Sequence, residues 1–214
     1  MRINKSLAAL ALVVSAVPFA ASAGESGTVY TQLTSNGLGI GYATSINKDW
    51  AARAQYSTFK YSFSGDAGIS ASAGSTLSVD LNLSTFNVVG DWYPSDGGFR
   101  LTGGVVFNQN KIAVTGTGDV GTATGVTVDG SIKMSNNGVV PYLGLGYGTR
   151  PKDDKGWGFN LDLGFMLQDP KASLSATGGG VAQSDIDAQL VKMQDAADKL
   201  KVMPVFGIGV SYSF

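Results

Sequence analysis

The chain has 214 residues, with 15 Lys and Arg against 16 Asp and Glu, 14% charged residues, and neither cysteine nor histidine. Without these two residue types there is no disulfide, no thiolate or imidazole metal ligand, and no Ser-His-Asp triad. The weak acidic balance gives no reason to expect nucleic acid, and no spacing of Asp, Lys, Ser or Tyr indicates a catalytic site. We therefore predict a protein that is not an enzyme and uses no cofactor or metal.

The first segment of the chain has the pattern of an export signal. Arg2 and Lys5 precede an almost wholly apolar run over 7–17, and Ala21-Ser22-Ala23 matches an A-x-A cleavage site. We predict a cleaved signal peptide over 1–23 and one domain over 24–214. No later apolar run approaches the roughly 18 residues that a membrane helix needs. An exported chain of this kind can enter a membrane only as strands.

The rest of the chain alternates large apolar residues with small or polar ones, which places the two sets on opposite faces of strands. The segments that show this alternation are 38–43, 50–57, 86–92, 99–108, 142–148, 157–168 and 206–214. The segment 27–35 alternates weakly, and we include it because single-chain barrels have even strand numbers. The predicted fold is all-β, an eight-stranded antiparallel transmembrane β-barrel.

Two kinds of link join these strands. Short turns rich in Pro, Gly, Asp and Lys are predicted near 47–49, 94–98 and 150–156. Longer links are predicted at 64–75, 116–131 and 176–202. Outer-membrane barrels have short periplasmic turns and longer external loops, so this alternation of links supports the barrel.

The apolar phase changes within the fourth predicted strand, between Leu83 and Phe86. A β-bulge at Ser84 and Thr85 would reverse the side of the sheet to which the apolar residues point, and we slightly favour it. The alternative is that the upper part of the strand projects beyond the bilayer.

An amphipathic helix is predicted in the last external loop, over 184–201. Its apolar residues recur at helical spacing, and Ser184 with Asp187 forms a possible capping box. The helix could act as a lid or partner-facing element over the barrel mouth. It could equally be a loop helix that covers apolar side chains at the rim, which we favour.

The last strand ends the printed sequence on an aromatic residue. Large apolar residues alternate with Gly and Ser up to Tyr212 and Phe214. This resembles the C-terminal assembly signature of bacterial outer-membrane barrels. It implies a Gram-negative outer-membrane location, with outer-membrane lipid and the barrel-assembly machinery as partners. We favour a monomer.

Four charged residues are predicted to point into the lumen: Arg53, Asp91, Arg100 and Asp162. A charge on the lipid face costs about 2–4 kcal/mol near the midplane, so these side chains should turn inward. They could form a charged constriction that selects a solute, or an ion-pair network that plugs a narrow barrel. Inward glycines such as Gly144 and Gly146 could leave space for a solute or make room for larger side chains.

Several short motifs give a family resemblance, strongest over 139–214. They are Val140-Pro141-Tyr142-Leu143-Gly144 with Gly146, Asp169-Pro170-Lys171, and Met203-Pro204-Val205 leading to Gly209-Val210. With the loop helix, they resemble the CarO-type small porins, the carbapenem-associated proteins also described as ornithine-uptake channels. The architecture is broadly similar to OmpW and OmpA-like barrels. The resemblance implies passive transport of small polar solutes such as amino acids.

Two functions follow as hypotheses. The first is a narrow porin whose selectivity comes from the four lumen charges. The second is a closed barrel with a structural or adhesin role that acts through its external loops.

Overall fold

A computed structural model describes residues 27–66, 76–120, 123–151, 155–178 and 180–214. The predicted signal peptide and most of the predicted loop 64–75 lie outside these residues. The elements in chain order are β1 (Gly27–Thr34), β2 (Gly37–Ser45), β3 (Trp50–Asp66), β4 (Thr76–Trp92), β5 (Phe99–Asn108), β6 (Lys111–Val120), β7 (Ala123–Lys133), β8 (Val139–Gly148), β9 (Gly156–Leu167), β10 (Lys171–Thr177), α1 (Gln183–Asp198) and β11 (Val202–Ser213).

Eight of these strands form a closed antiparallel ring, which confirms the predicted fold. Around the ring the order is β1, β2, β3, β4, β5, β8, β9 and β11, and β11 pairs with β1 to close it. The weakly alternating first strand, β1, pairs with β11 along its length, from Thr28↔Ser213 to Thr34↔Gly207. Its other edge pairs with β2.

The strands separate polar from apolar side chains as their alternation predicts. Inward residues such as Ser57, Thr85 and Ser211 are buried, whereas outward residues such as Phe159 and Leu143 are more than half exposed. Among the described residues, no helix is both long and apolar enough to cross a bilayer. The outward side chains of the ring form a continuous apolar belt.

The two ends of the ring differ. The end that carries the turns after β2, β4 and β8, and that also holds Gly27 and Phe214, is called the short-turn end. Aromatic pairs lie on its outer surface, with Trp50 stacked 6.4 Å from Trp92 and Trp157 edge-on 5.4 Å from Tyr212. At the opposite end the wall continues upward, and this part is called the extension.

The extension corrects the predicted loop at 116–131. There β6 and β7 form a hairpin; β6 pairs with the upper half of β4, and β10 pairs with β7. The glycines of this stretch indicated a loop, but its Thr and Val residues favour strands once a sheet edge is available. The upper half of β4 supplies that edge, because it rises above the ring.

The predicted bulge at Ser84 and Thr85 is also wrong. The register between β3 and β4 is unbroken from Trp50↔Trp92 to Asp66↔Thr76. On its other edge, β4 pairs with β6 over 76–82 and with β5 over 85–92, so its partner changes at this point. The apolar phase changes because the strand leaves the ring, which agrees with the alternative of a projecting strand.

Helix α1 confirms the predicted loop helix, with slightly different bounds. It packs on the inner face of the extension, where Met193 and Leu174 flank Gly130 and Ala197 is fully buried. The Gln194 side chain joins the helix to β10, accepting from Ala172 N–H at 2.9 Å and donating to the Pro170 carbonyl at 3.0 Å. The helix thus covers apolar side chains of the wall, as the favoured interpretation expects.

The capping of the helix differs from the prediction. The N-cap residue is Ala182, which makes no side-chain capping bond, so the predicted capping box is wrong. Instead Gln183 Nε2 donates to Asp187 Oδ1 at 2.9 Å within the first turn. At the other end, hydrogen bonds from Gln194 and Lys201 lower the pKa of the Asp198 carboxyl.

The seam between β1 and β11 requires a glycine at position 209. A Cβ there would overlap the Thr31 carbonyl oxygen, which is backbone and cannot rotate away. We expect Gly209→Ala to destabilise the folded barrel by about 1–3 kcal/mol, as overpacking does in cores. Urea unfolding of the refolded protein in lipid vesicles measures this.

The matched control is Gly116→Ala in β6, where a Cβ meets nothing within 4 Å. Its unfolding midpoint should stay near that of the unsubstituted protein. Equal shifts for the two variants would contradict a special requirement at the seam.

Candidate functional site: the lumen

The four charges predicted to point inward meet in the lumen; this group is called the charge cluster. Arg53 Nε lies 2.5 Å from Asp91 Oδ2, and Arg53 Nη2 lies 3.2 Å from Asp162 Oδ1. Arg100 Nη2 lies 2.8 Å from Asp162 Oδ1, and its Nε lies 3.7 Å from Asp91 Oδ1. Each arginine therefore pairs with both carboxylates, and the cluster is neutral.

The cluster reaches across the ring. Arg53, on β3, and Asp162, on β9, stand on strands at opposite positions in the eight-strand order. The sequence predicts the inward direction of both side chains but not this contact, because the far wall cannot be placed without the register. The Arg53–Asp162 contact bridges the lumen from one wall to the other.

All four side chains are at most 9% exposed. Buried charges need further hydrogen bonds, and neighbouring side chains supply them. Thr102 Oγ1 donates to Asp91 Oδ1 at 2.6 Å, and Gln32 Nε2 donates to Asp162 Oδ2 at 2.6 Å. Thr102 lies on the predicted inward face with Arg100 but was not singled out as a site residue, and Gln32 was missed because the weak alternation of strand 1 gave it no inward assignment.

The inward glycines make room for these large side chains. A Cβ at Gly146 would lie 2.8 Å from both Arg100 Nε and Asp162 Oδ1, and one at Gly207 would lie 2.5 Å from Gln32 Nε2. The Tyr142 ring similarly fills the space beside Gly144 and Gly164. Of the two interpretations of the glycines, these contacts support accommodation of side chains rather than space for a solute.

A second polar layer lies at the extension end of the lumen; it consists of Asn36, Asn108, Asn110 and Gln168 and is called the amide layer. Asn108 Nδ2 donates to Gln168 Oε1 at 2.6 Å, and Asn110 Nδ2 donates to Asn36 Oδ1 at 3.2 Å. All four residues are buried. Gln168 Nε2 also donates to the Leu200 carbonyl at 3.0 Å, which ties the segment after α1 to the rim.

Between the two layers lies a cavity of about 30 Å³, bordered by Arg53, Asp162 and Tyr142 on one side and Asn36 on the other. A water molecule needs roughly 10–15 Å³ of such space, so the cavity accommodates about two waters. It is too small for an amino acid in this conformation.

The described part of the lumen has no arrangement for metal chemistry. No group of three or more His, Cys, Asp or Glu within the described ranges could hold a metal ion. Asp91 and Asp162 are both engaged by arginines.

The predicted C-terminal signature lies at the short-turn end. Tyr212 pairs with Val29 and Trp157, and Phe214 N–H donates to the Gly27 carbonyl at 3.1 Å. These positions place the aromatic end of the chain at the seam of the ring. Recognition by the assembly machinery stays a prediction.

The charge cluster generates a prediction for stability. Arg100→Met leaves two buried carboxylates with one arginine, and removing one partner of a buried pair costs about 3–5 kcal/mol. The double variant Arg100→Met/Asp162→Leu retains the neutral Arg53–Asp91 pair. We expect it to be less destabilised than the single variant, as measured by urea unfolding in vesicles.

Lys201→Met serves as the control, because Lys201 pairs with Asp198 at 3.1 Å on the surface and such pairs contribute about 0–1 kcal/mol. If the two lumen substitutions were simply additive, the argument for charge balance in the cluster would be wrong.

No protein-family model matches the chain, and no curated protein sequence matches it. Two crystal structures from Acinetobacter baumannii share its fold. CarO2 aligns with a TM-score of 0.59 at 21% identity, over 89% of this chain and 99% of that chain. CarO aligns with a TM-score of 0.57 at 23% identity, over 88% of this chain and 97% of that chain. The resemblance expected from the short motifs is thus confirmed for the fold: the chain is similar in architecture to the CarO barrels.

Proposed function

We propose that this protein is an outer-membrane β-barrel whose lumen is closed to solutes and which acts through its extension at the cell surface. The observation that carries the proposal is the Arg53–Asp162 contact across the lumen, beside a cavity of about 30 Å³. A ring of eight strands leaves an interior that side chains can fill. Here charged and amide side chains fill it in two layers.

The outer surface supports placement in a membrane. Exposed Leu, Ile, Val and aromatic side chains surround the ring, and aromatic pairs lie near its short-turn end. Strands such as β8 and β9 have 10 and 12 residues, and about 9–11 tilted residues cross a bilayer. In this placement the short turns face the periplasm, and the extension with α1 faces outward.

Outer-membrane lipid is the partner that this surface requires. We assign insertion to the barrel-assembly machinery, acting on Tyr212 and Phe214, and we favour a monomer because the ring is closed within one chain. Within the described residues, each strand of the ring pairs with a neighbour on both sides.

Closure at the charge cluster resists opening. A solute would have to separate Arg53 from Asp162, and parting buried charges costs several kcal/mol unless the solute replaces both partners. The amide layer adds hydrogen bonds across the other end of the lumen, between Asn36 and Asn110. A solute would have to break these as well.

A second candidate is a narrow porin for passive uptake of small polar solutes such as amino acids. It is favoured by the cavity, which Arg53 and Asp162 border with opposite charges. After a conformational change, a zwitterion could enter between them. Its carboxylate would then pair with Arg53 in place of Asp162, and its ammonium group with Asp162 in place of Arg53. The resemblance to CarO-type porins implies the same function.

Conductance in a planar bilayer distinguishes these functions. We expect folded wild-type protein to give no discrete steps, because the cluster blocks the lumen. Arg53→Ala/Arg100→Ala removes both cations and should produce reproducible steps. The matched control is Lys192→Ala/Lys199→Ala, which removes two exposed cations of the α1 region and should stay silent.

Discrete steps from the wild-type protein, with ion selectivity altered in the Arg100→Ala variant, would establish the porin instead. Silence from the double arginine variant, shown to be folded, would mean that the cluster is not what closes the lumen.

A further inference from the structure

Four lysines lie in one row on the outer face of the wall, where the extension meets the ring. Cross-strand partners run in direct register from Lys60 through Asn82 to Lys111, and on to Lys133 and Lys171. These residues belong to five adjacent strands, β3, β4, β6, β7 and β10. The four lysines are called the lysine row.

The register places all four on the same face. Residues directly opposite each other in an antiparallel pair share a face of the sheet. Lys60 also shares its face of β3 with Tyr56, an outward residue of the apolar belt, because the two are an even number of positions apart. All four lysines are exposed.

The row also follows the rim of the barrel. Lys111 begins β6 directly after β5, Lys133 ends β7 just before β8, and Lys171 begins β10 just after β9. At about 4.8 Å between strands, the row spans roughly 19 Å of the wall. It therefore follows the line where a bilayer around the ring would end.

Carboxylates balance the row only in part: Lys171 helps to lower the pKa of Asp198, at the end of α1. None of the four lysines forms an ion pair within the described residues, although like charges directly opposite each other destabilise a sheet. Two carboxylates on the same face are already engaged: Ser62 donates to Asp80 at 2.5 Å, and Thr115 donates to Asp129 at 2.7 Å. Both carboxylates keep their negative charge, but they lie two and four residues above the row, so the row itself is a line of four positive charges.

The height of the row fits a headgroup layer. An outward aromatic row, Tyr56↔Phe86↔Phe107, lies four residues below it, with Phe86 and Phe107 rings 6.0 Å apart. Aromatic belts sit at the headgroup level. Four residues of tilted strand rise about 10 Å, and a lysine stem can reach back toward the interface.

We propose that the lysine row binds the phosphate groups of lipopolysaccharide, the phosphorylated glycolipid of the outer leaflet, along one side of the barrel. This rests on the proposed outer-membrane placement. Ammonium groups at this height attract anionic headgroups, and each basic residue near such a surface adds about fivefold in affinity. The row thereby fixes the depth of the barrel and surrounds one side with ordered glycolipid.

The test uses the complete barrel refolded in uncharged detergent micelles. Titration with purified lipopolysaccharide gives a Kd for the wild-type protein and for Lys60→Gln/Lys111→Gln/Lys133→Gln/Lys171→Gln. We expect the quadruple variant to bind at least about 30-fold more weakly, after allowance for screening by salt. The same lipid without its phosphates should bind wild-type protein as weakly as the intact lipid binds the variant.

The control removes the same number of charges elsewhere: Lys48→Gln/Lys155→Gln/Lys192→Gln/Lys199→Gln. It should bind lipopolysaccharide within about twofold of the wild type. Equal affinities of the wild type and the row variant would overturn the proposal, as would equal binding of intact and dephosphorylated lipid. Binding of a soluble sulfated polysaccharide without binding of the glycolipid would also overturn it, in favour of a surface partner.

Insertion is measured separately, by protease protection of the same preparations in phospholipid vesicles. Failure of the wild type to insert would contradict the outer-membrane placement itself. Normal insertion, with the same lipopolysaccharide affinity for the wild type and the row variant, would contradict only the role proposed for the lysine row.

Discussion

The narrow interior of an eight-stranded ring constrains every inward side chain of this protein. Large residues can point inward only where the facing residue is small, so Tyr142 lies beside Gly144 and Gly164, and Arg100 lies over Gly146. Charges can point inward only in neutral groups, because an unpaired charge in this space would be desolvated without compensation. The two arginines and two aspartates meet both conditions. The tight packing of side chains in the lumen is thus a direct result of the small strand number.

Above the ring the same constraint no longer applies. The wall continues as β3, β4, β6, β7 and β10, and its inner face becomes apolar; helix α1 covers this face at β7 and β10, whereas Phe59, Tyr61 and Phe63 of β3 remain exposed. Its outer face becomes hydroxyl-rich and basic. One continuous pair of strands, β3 and β4, therefore exchanges its polar and apolar faces without any break in register. The change of environment, and not a bulge, reverses the pattern.

Alternation with period two predicted seven strands of the ring, the outward residues and the inward direction of Arg53, Asp91, Arg100 and Asp162, whereas the first strand was added because barrels have even strand numbers. It could not show that Arg53 meets Asp162, because contact across the lumen depends on the shear of the ring. The hairpin of β6 and β7 was missed since its glycines resemble a loop and its partner edge exists only in the folded wall. The amide layer comes from turn residues such as Asn36 and Asn110, which no strand pattern addresses.

The pairing of β1 with β11 has a consequence for biogenesis. Thr28 and Ser213, which are 185 positions apart, share a hydrogen bond of 2.7 Å across the seam. The ring therefore cannot close until β11 is available, and until then β1 and β9 each present an unpaired edge. Contacts of such long sequence separation form slowly. Before the ring closes, the chain must be kept apart from copies of itself, because an unpaired strand edge of one copy can pair with an unpaired edge of another.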